Sequence, residues 1–238
     1  MIMAGVQGTS VTDDARKVIA DVNIGNVVLM GRNVESPSQV LAMTRGLQEL
    51  AVAANGFPLL IATDQEGGQV QRLNAAAGFL PMPDAVTVGA TERPDAVRRY
   101  ARAVGEELRA VGVNVAFAPV LDVNDNPRNP VIGSRGRSFG TTPGQVTHSA
   151  IPFLMGLRDA GVMATGKHFP GHGSTEKDSH HALPVVAKEP GELAAVELPS
   201  FQRAIDRGIE FILPAHVAYP ALDPTGLPAT VSAPILTG

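Results

Sequence analysis

Short apolar runs alternate with helical patterns along almost the whole chain, and that alternation constrains the fold more than any other feature. Val27-Val28-Leu29-Met30, Leu59-Leu60-Ile61-Ala62, Val113 to Val120, Val162 to Thr165 and Phe211-Ile212-Leu213 each read as a buried strand. Strands this apolar must be covered on both faces, which is the condition of a parallel sheet flanked by helices. The helices are marked by their ends. Ser36-Pro37-Ser38-Gln39 supplies a capping serine, a proline at the first helical position and a glutamine three residues on. That helix runs to about Asn55, where Gly56 can end it. Pro94 opens a second helix with Val97, Tyr100, Ala101, Val104, Leu108 and Val111 on one stripe, closed by Gly112. Pro143 starts a third that stops at Gly161 and that Pro152 must kink or break. Glu192 to Arg207 reads as a fourth, ending at Gly208, and the run from Met1 to Val6 as a strand already under way.

A barrel and an open doubly wound sheet both satisfy this alternation. No Gly-x-Gly-x-x-Gly follows the first strands, which weakens the dinucleotide-binding form of the open sheet. Asp64 follows one strand, Asp122 another, Lys167-His168 a third and His216 a fourth. Polar groups at the carboxyl ends of several strands are what a barrel active site requires. The expected fold is therefore α/β, a (β/α)8 TIM-type barrel occupying residues 1–238 as one domain. It is incomplete at its C-terminal end, because only about six of the eight strands of a closed barrel can be found. A net charge of −4 without any lysine- and arginine-rich run argues against nucleic acid or an anionic membrane as partner. With no cysteine there is neither a disulfide framework nor a thiolate metal site. No apolar run has the length of a membrane-spanning helix, and the N-terminus lacks the basic flank of a signal peptide.

The chemistry concentrates in Lys167 to His181, which holds four of the six histidines, two lysines, a glutamate and an aspartate, with Gly171 and Gly173 flanking one histidine. His168-x-x-x-His172 has the spacing of two metal ligands on a helical turn, but Pro170 and Gly171 oppose a helix and no glutamate takes the zinc-protease position. No metal is assigned. Two readings remain: structural histidines satisfied by backbone, or an acid/base dyad of Asp178 and His180. The dyad is favoured, since a carboxylate two residues away can hydrogen-bond one ring nitrogen and aim the other at a substrate. Upstream, Asp64 can accept two hydroxyl hydrogen bonds from a polyol and Arg72 can donate to ligand oxygens. Asn126 to Gly140 is a long loop carrying Arg128, Arg135 and Arg137, of a length that is usually functional or disordered.

Asp64-Gln-Glu-Gly-Gly, Phe117-Ala-Pro-Val-Leu-Asp-Val, Gly136-Arg-Ser-Phe-Gly, Gly166-Lys-His-Phe-Pro-Gly-His-Gly, Asp178-Ser-His and Pro214-Ala-His-Val occur in this order. Together they resemble the bacterial β-N-acetylglucosaminidases of glycoside hydrolase family 3, over essentially the whole chain. The resemblance implies that Asp64 binds sugar hydroxyls, Arg72 lines the sugar site, Arg137 contacts the substrate, and Lys167 and His168 hold hydroxyls of a terminal N-acetylglucosamine. His180 would be the general acid/base and Asp178 its partner. The Gly-Ser-Arg-Gly-Arg-Ser stretch is longer than the usual form, so Arg135 competes with Arg137; His172 and His181 are structural or supporting. The implied reaction is retaining hydrolysis of terminal β-N-acetylglucosamine from cell-wall fragments such as muropeptides, with no cofactor and no metal. In the family the nucleophilic aspartate follows the strand after Pro-Ala-His-Val. Here the acidic residues beyond His216 reduce to Asp223, in a turn-like Leu222-Asp223-Pro224-Thr225-Gly226, and it is not assigned. The expectation is a piece of a longer enzyme that keeps the sugar-binding groups, lacks the nucleophile and is essentially inactive alone. A phosphorylase and a sugar-binding chain without turnover stand as alternatives. Compartment (cytoplasm or cell envelope) and oligomeric state stay open.

Overall fold

The computed structural model describes residues 2–237. In chain order the strands are β1 (Ala4–Gly5), β2 (Asn26–Leu29), β3 (Leu60–Thr63), β4 (Gln65–Gly67), β5 (Val70–Gln71), β6 (Val115–Ala116), β7 (Met163–Phe169) and β8 (Phe211–Pro214). β4 and β5 form a small antiparallel pair. The other six make one parallel sheet in the order β1-β2-β3-β6-β7-β8. Spatial order thus follows chain order without reversal. A doubly wound sheet reverses at its switch point, and a barrel never does. The sheet curls into an incomplete TIM-type barrel, open between β1 and β8, as the strand count led one to expect.

Helices α1 (Asp13–Arg16), α2 (Pro37–Asn55), α3 (Ala85–Gly89), α4 (Pro94–Ala110), α5 (Pro143–Asp159), α6 (Pro190–Val196), α7 (Leu198–Asp206) and α8 (Ala233–Thr237) connect and cover these strands. The signals at α2 act as read: Ser36 accepts from the Gln39 N–H at 3.2 Å, and Gly56 ends the helix in the left-handed region at φ 79°. Val97, Ala101, Val104, Leu108 and Val111 of the α4 stripe are buried. α4 and α5 meet at backbone contact, because a Cβ on Gly156 would stand 2.3 Å from the Arg98 carbonyl oxygen.

Four readings need correction. The first strand is only Ala4–Gly5, and Met1 lies outside the described residues. The run from Val113 to Val120 keeps just two residues in regular ladder. The Asn114 side chain bonds the Ile61 N–H at 2.7 Å and the Leu59 carbonyl at 3.0 Å in place of backbone, and Pro119 has no N–H to donate. α5 runs through Pro152 unbroken, its buried Phe153, Leu154 and Leu157 holding it on the core. The expected helix from Glu192 to Arg207 is two helices meeting at Glu197, where Pro199 cannot supply the N–H that would continue the first.

A second, smaller apolar cluster of Val186, Leu193, Ala215, Val217, Tyr219 and Ala229 lies beyond β8. Tyr219 donates to the Gly171 carbonyl at 2.6 Å and so ties this cluster to the histidine-rich loop. That loop also presses on the segment after β6, since a Cβ on Gly173 would sit 1.6 Å from the Val123 carbonyl oxygen. Gly173→Ala should therefore lower stability by about 2–3 kcal/mol, read as a drop in the denaturation midpoint. Wild-type stability would mean that the loop can lift away freely.

Candidate active site

Residues that leave a strand at its carboxyl end with two-residue spacing share a face. Asp64 and Glu66 follow β3 in that way and meet Lys167 of β7 from across the sheet. Lys167 Nζ lies 2.8 Å from Asp64 Oδ1 and 2.6 Å from Glu66 Oε1. Arg137 grips Glu66 with two bonds, Nε to Oε2 at 2.8 Å and Nη2 to Oε1 at 2.7 Å. Arg72 Nη2 approaches Asp64 Oδ2 at 3.3 Å. His168 donates from Nδ1 to Asp122 Oδ2 at 2.7 Å, with Arg137 Nη2 3.4 Å from its Nε2. Asp64, Arg72, Arg137, Lys167 and His168, far apart in sequence, thus converge on one cluster.

Exposure sorts this cluster into a floor and a rim. Side chains of Lys167, Glu66 and Arg137 are only 2%, 3% and 10% exposed, whereas His168, Asp64 and Arg72 are 16%, 18% and 32% exposed. The rim can touch a ligand, and the floor holds the rim in place. Arg137, expected against the substrate, is held by Glu66 through two bonds. Burial pushes the Asp64 and Glu66 carboxyls up, but Lys167 beside both, with Arg72 on one and Arg137 on the other, holds them below the usual range. Fully buried Asp122 is likewise pushed up by burial and brought below the usual range by His168 and His172. Arg72 Nε is buried and, among the described residues, has no hydrogen-bond partner.

The loop after β7 carries the remaining candidates. Asp122 Oδ1 accepts the backbone N–H of His168 at 3.1 Å and of His172 at 2.7 Å, so one carboxylate fixes where the loop starts. His172 is buried between Thr175 Oγ1 at 3.0 Å from Nδ1 and Ser179 Oγ at 3.0 Å from Nε2. Its burial, opposed by the Asp122 charge, lowers the His172 pKa from 6.5. A histidine with a lowered folded pKa contributes its stability above the unfolded value and loses it as pH falls toward the folded one. Acidifying from pH 7 to 5 should thus destabilise the wild type more than His172→Asn, with the melting temperatures of the two converging; parallel curves would show that His172 is protonated without cost.

Asp178 and His180 form the expected pair. Asp178 Oδ1 accepts from His180 Nδ1 at 2.6 Å and from its backbone N–H at 2.9 Å. The N–H of His180, then its ring and charge, with Arg135 last, hold the Asp178 carboxyl below the usual range. Nε2 is left for another partner. His181 is exposed and makes no side-chain hydrogen bond among the described residues. His216 stands exposed at the end of β8 with Nδ1 2.8 Å from Thr230 Oγ1, outside the cluster. Asp223 is buried and consumed by Ser232 Oγ at 2.5 Å and Thr225 Oγ1 at 2.6 Å. Among the described residues, no group of three or more histidine, aspartate and glutamate side chains is arranged to hold a metal ion.

Sequence reasoning gave no role to Glu66 and Asp122. The signal was there: Glu66 shares the face of Asp64, and Asp122 is the one acidic residue ending the apolar run Val120-Leu121-Asp122-Val123.

Related proteins carry the same framework. The chain is 40% identical over 228 residues to a beta-hexosaminidase of Thiobacillus denitrificans, an alignment covering 93% of this chain and 61% of the relative. It therefore spans less than two thirds of that curated relative's length. A glycoside hydrolase family 3 beta-N-acetylglucosaminidase from Paenibacillus sp. superposes with a TM-score of 0.95 at 44% identity, over 99% of this chain and 44% of the other. NagZ from Neisseria gonorrhoeae, solved in complex with N-trifluoroacetyl-D-glucosamine, gives 0.90 at 33% identity, over 99% of this chain and 68% of the other. Residues 1–238 match the glycosyl hydrolase family 3 N-terminal domain throughout, and the chain belongs to that family.

Proposed function

We propose that this chain forms the sugar-binding and acid/base part of a retaining glycoside hydrolase that releases terminal, non-reducing β-N-acetylglucosamine from peptidoglycan-derived fragments. The observation that carries this reading is the rim of Asp64, His168 and Arg72 over a floor in which charges balance. Asp64 and Glu66 are paired with Arg72, Arg137 and Lys167, and Asp122 with His168. Such a site suits a neutral polyol, whose hydroxyls can donate to Asp64 and accept from the partly exposed Arg72 guanidinium. The beta-hexosaminidase relatives and the N-acylglucosamine-bound neighbour point to N-acetylglucosamine as that polyol.

In this reading His180 protonates the glycosidic oxygen as it leaves, and then takes a proton from the water that attacks the anomeric carbon. Asp178 orients the ring and stabilises the imidazolium. The attacking carboxylate is assigned to the protein outside these residues, because Asp64, Glu66 and Asp122 are each committed to cations or histidines and Asp223 is sealed in its turn. Lys167 and Arg137 keep the carboxylates ionised and in register.

Titration calorimetry of this chain with N-acetylglucosamine tests the sugar site. Asp64→Ala should weaken binding roughly 10- to 100-fold, since the sugar's hydroxyl donors lose their acceptor while desolvated. Unchanged binding would place the sugar elsewhere. For the full-length protein, free N-acetylglucosamine is the expected product even with excess phosphate; accumulation of sugar 1-phosphate would favour a phosphorylase.

A further inference from the structure

The loop carrying Asp178 and His180 is fixed firmly at its base. Ser174 and Lys188, at its two ends, both bind the buried Glu197 carboxylate, Lys188 Nζ at 2.8 Å, and Lys188 also reaches Asp125 at 2.7 Å. Asn129 of the facing loop donates to the His172 carbonyl at 2.8 Å and to Thr175 Oγ1 at 3.0 Å. Beyond Thr175 the ties become sparse. The tip, residues 176–183, is joined to the facing loop by an Arg128–Glu176 pair and by Arg135, besides the Ser179–His172 contact. The Arg128–Glu176 pair is largely exposed, so it contributes little.

Arg135 differs because of where it lands. Asp178 Oδ1 is taken twice by His180, and Arg135 Nη2 lies 3.4 Å from the other oxygen, Oδ2. The turn that presents Arg135 is rigid. Asn129 Oδ1 accepts from the N–H groups of Val131 and Ile132 at 2.9 and 2.6 Å, and Ser134 N–H bonds the Asn129 carbonyl at 3.0 Å. The next residue, Gly136, has φ 62° and abuts Asp84, so a side chain there would be both strained and crowded. Side-chain exposures of 40% for Arg135 and 15% for Asp178 leave the contact partly shielded.

We propose that Arg135 is a positioning residue that latches the His180 loop to the 126–140 loop, by taking the Asp178 oxygen that the histidine leaves free. Its catalytic consequence rests on the glycosidase reading; the latch itself does not. Arg135 and Arg137, two residues apart, then have separate tasks: one holds the acid/base loop and the other the floor of the sugar site.

Hydrogen–deuterium exchange on this chain without ligand tests the latch. The His180 N–H bonds Asp178 Oδ1, and the N–H groups of His181 and Ala182 bond the Asp178 carbonyl, so their exchange reports opening of the tip. Arg135→Ala should speed exchange in 176–183 roughly two- to fivefold, the scale of a partly exposed ion pair. Arg135→Lys should restore most of the protection, while helix α5 stays unchanged. Arg98→Ala, which removes an ion pair with Asp159 on that helix, should leave 176–183 as in the wild type. In the full-length enzyme Arg135→Ala should lower kcat by a similar factor with KM for N-acetylglucosaminides nearly constant. Unchanged exchange in 176–183, a uniform rise across the chain, or weakened N-acetylglucosamine binding with the tip still protected would each overturn the latch. A wild-type enzyme without glycosidase activity would sink the functional reading and leave the exchange result standing.

Discussion

His180→Ala in the full-length enzyme should cut turnover of N-acetylglucosaminides with sugar or alkyl leaving groups by roughly 10²–10⁴-fold. A poor leaving group departs as an alkoxide unless it is protonated in the transition state, and in the proposed function His180 gives that proton. Its Nδ1 is committed to Asp178 at 2.6 Å, which fixes the ring's orientation and leaves Nε2 free of that contact. A nitrophenyl leaving group needs little protonation, so the variant should process nitrophenyl glycosides with a much smaller loss in the glycosylation step. Comparing kcat/KM across a series of leaving groups of rising acidity gives the answer. A steeper dependence in the variant supports the assignment, and equal loss across the series removes His180 from the acid role.

Lys167→Met should destabilise the chain by about 3–5 kcal/mol, the scale seen when one partner of a buried ion pair is removed. The methionine fills much of the lysine volume, so the effect is electrostatic more than steric. Glu66 keeps its two bonds to Arg137, but Asp64 is left with the longer contact to Arg72 at 3.3 Å. The pH dependence separates this cause from simple mispacking. Asp64 and Glu66 have folded pKa values below their ordinary 3.8 and 4.5, so in the wild type they contribute stability above those values and lose it as pH falls through them. Without Lys167 the carboxyls are easier to protonate and less is lost. The deficit of the variant should be largest near pH 7 and shrink below about pH 4.5. A deficit under about 1 kcal/mol that ignores pH would mean that water had taken over the role of the ammonium.

Pro152 and Pro199 show how far local rules reach in this chain. Both sit inside helical patterns, yet α5 continues through one and the other divides α6 from α7. The rule that proline removes a donor applies equally to both; packing on the core decides which helix survives, and packing is not local. Where the chemistry is local, as at Ser36, Pro37 and Gly56, the helix ends were legible. The barrel-like order of strands was legible for a different reason: apolar strands ending in polar residues need little beyond their own sequence to be recognised. In the site, Asp64, Asp122, Lys167 and His168 announce themselves at strand ends. Glu66 and Asp122 work on other protein groups rather than facing solvent, and nothing near them in sequence names those partners. Arg135 and Arg137 could not be told apart because two residues on a loop give no face; only the fold sends one to Asp178 and the other to Glu66.

A crystal of this chain soaked with N-acetylglucosamine tests most directly the proposal that the sugar sits on the rim of Asp64, Arg72 and His168. The expected structure has sugar hydroxyls within hydrogen-bond distance of Asp64 and His168, an oxygen on the Arg72 guanidinium, and Arg137 still bound to Glu66. A sugar seated instead in the groove between α3 and the start of α5, beside Val86, Phe139, Gly144 and His148, with the Asp64 rim vacant, would contradict it.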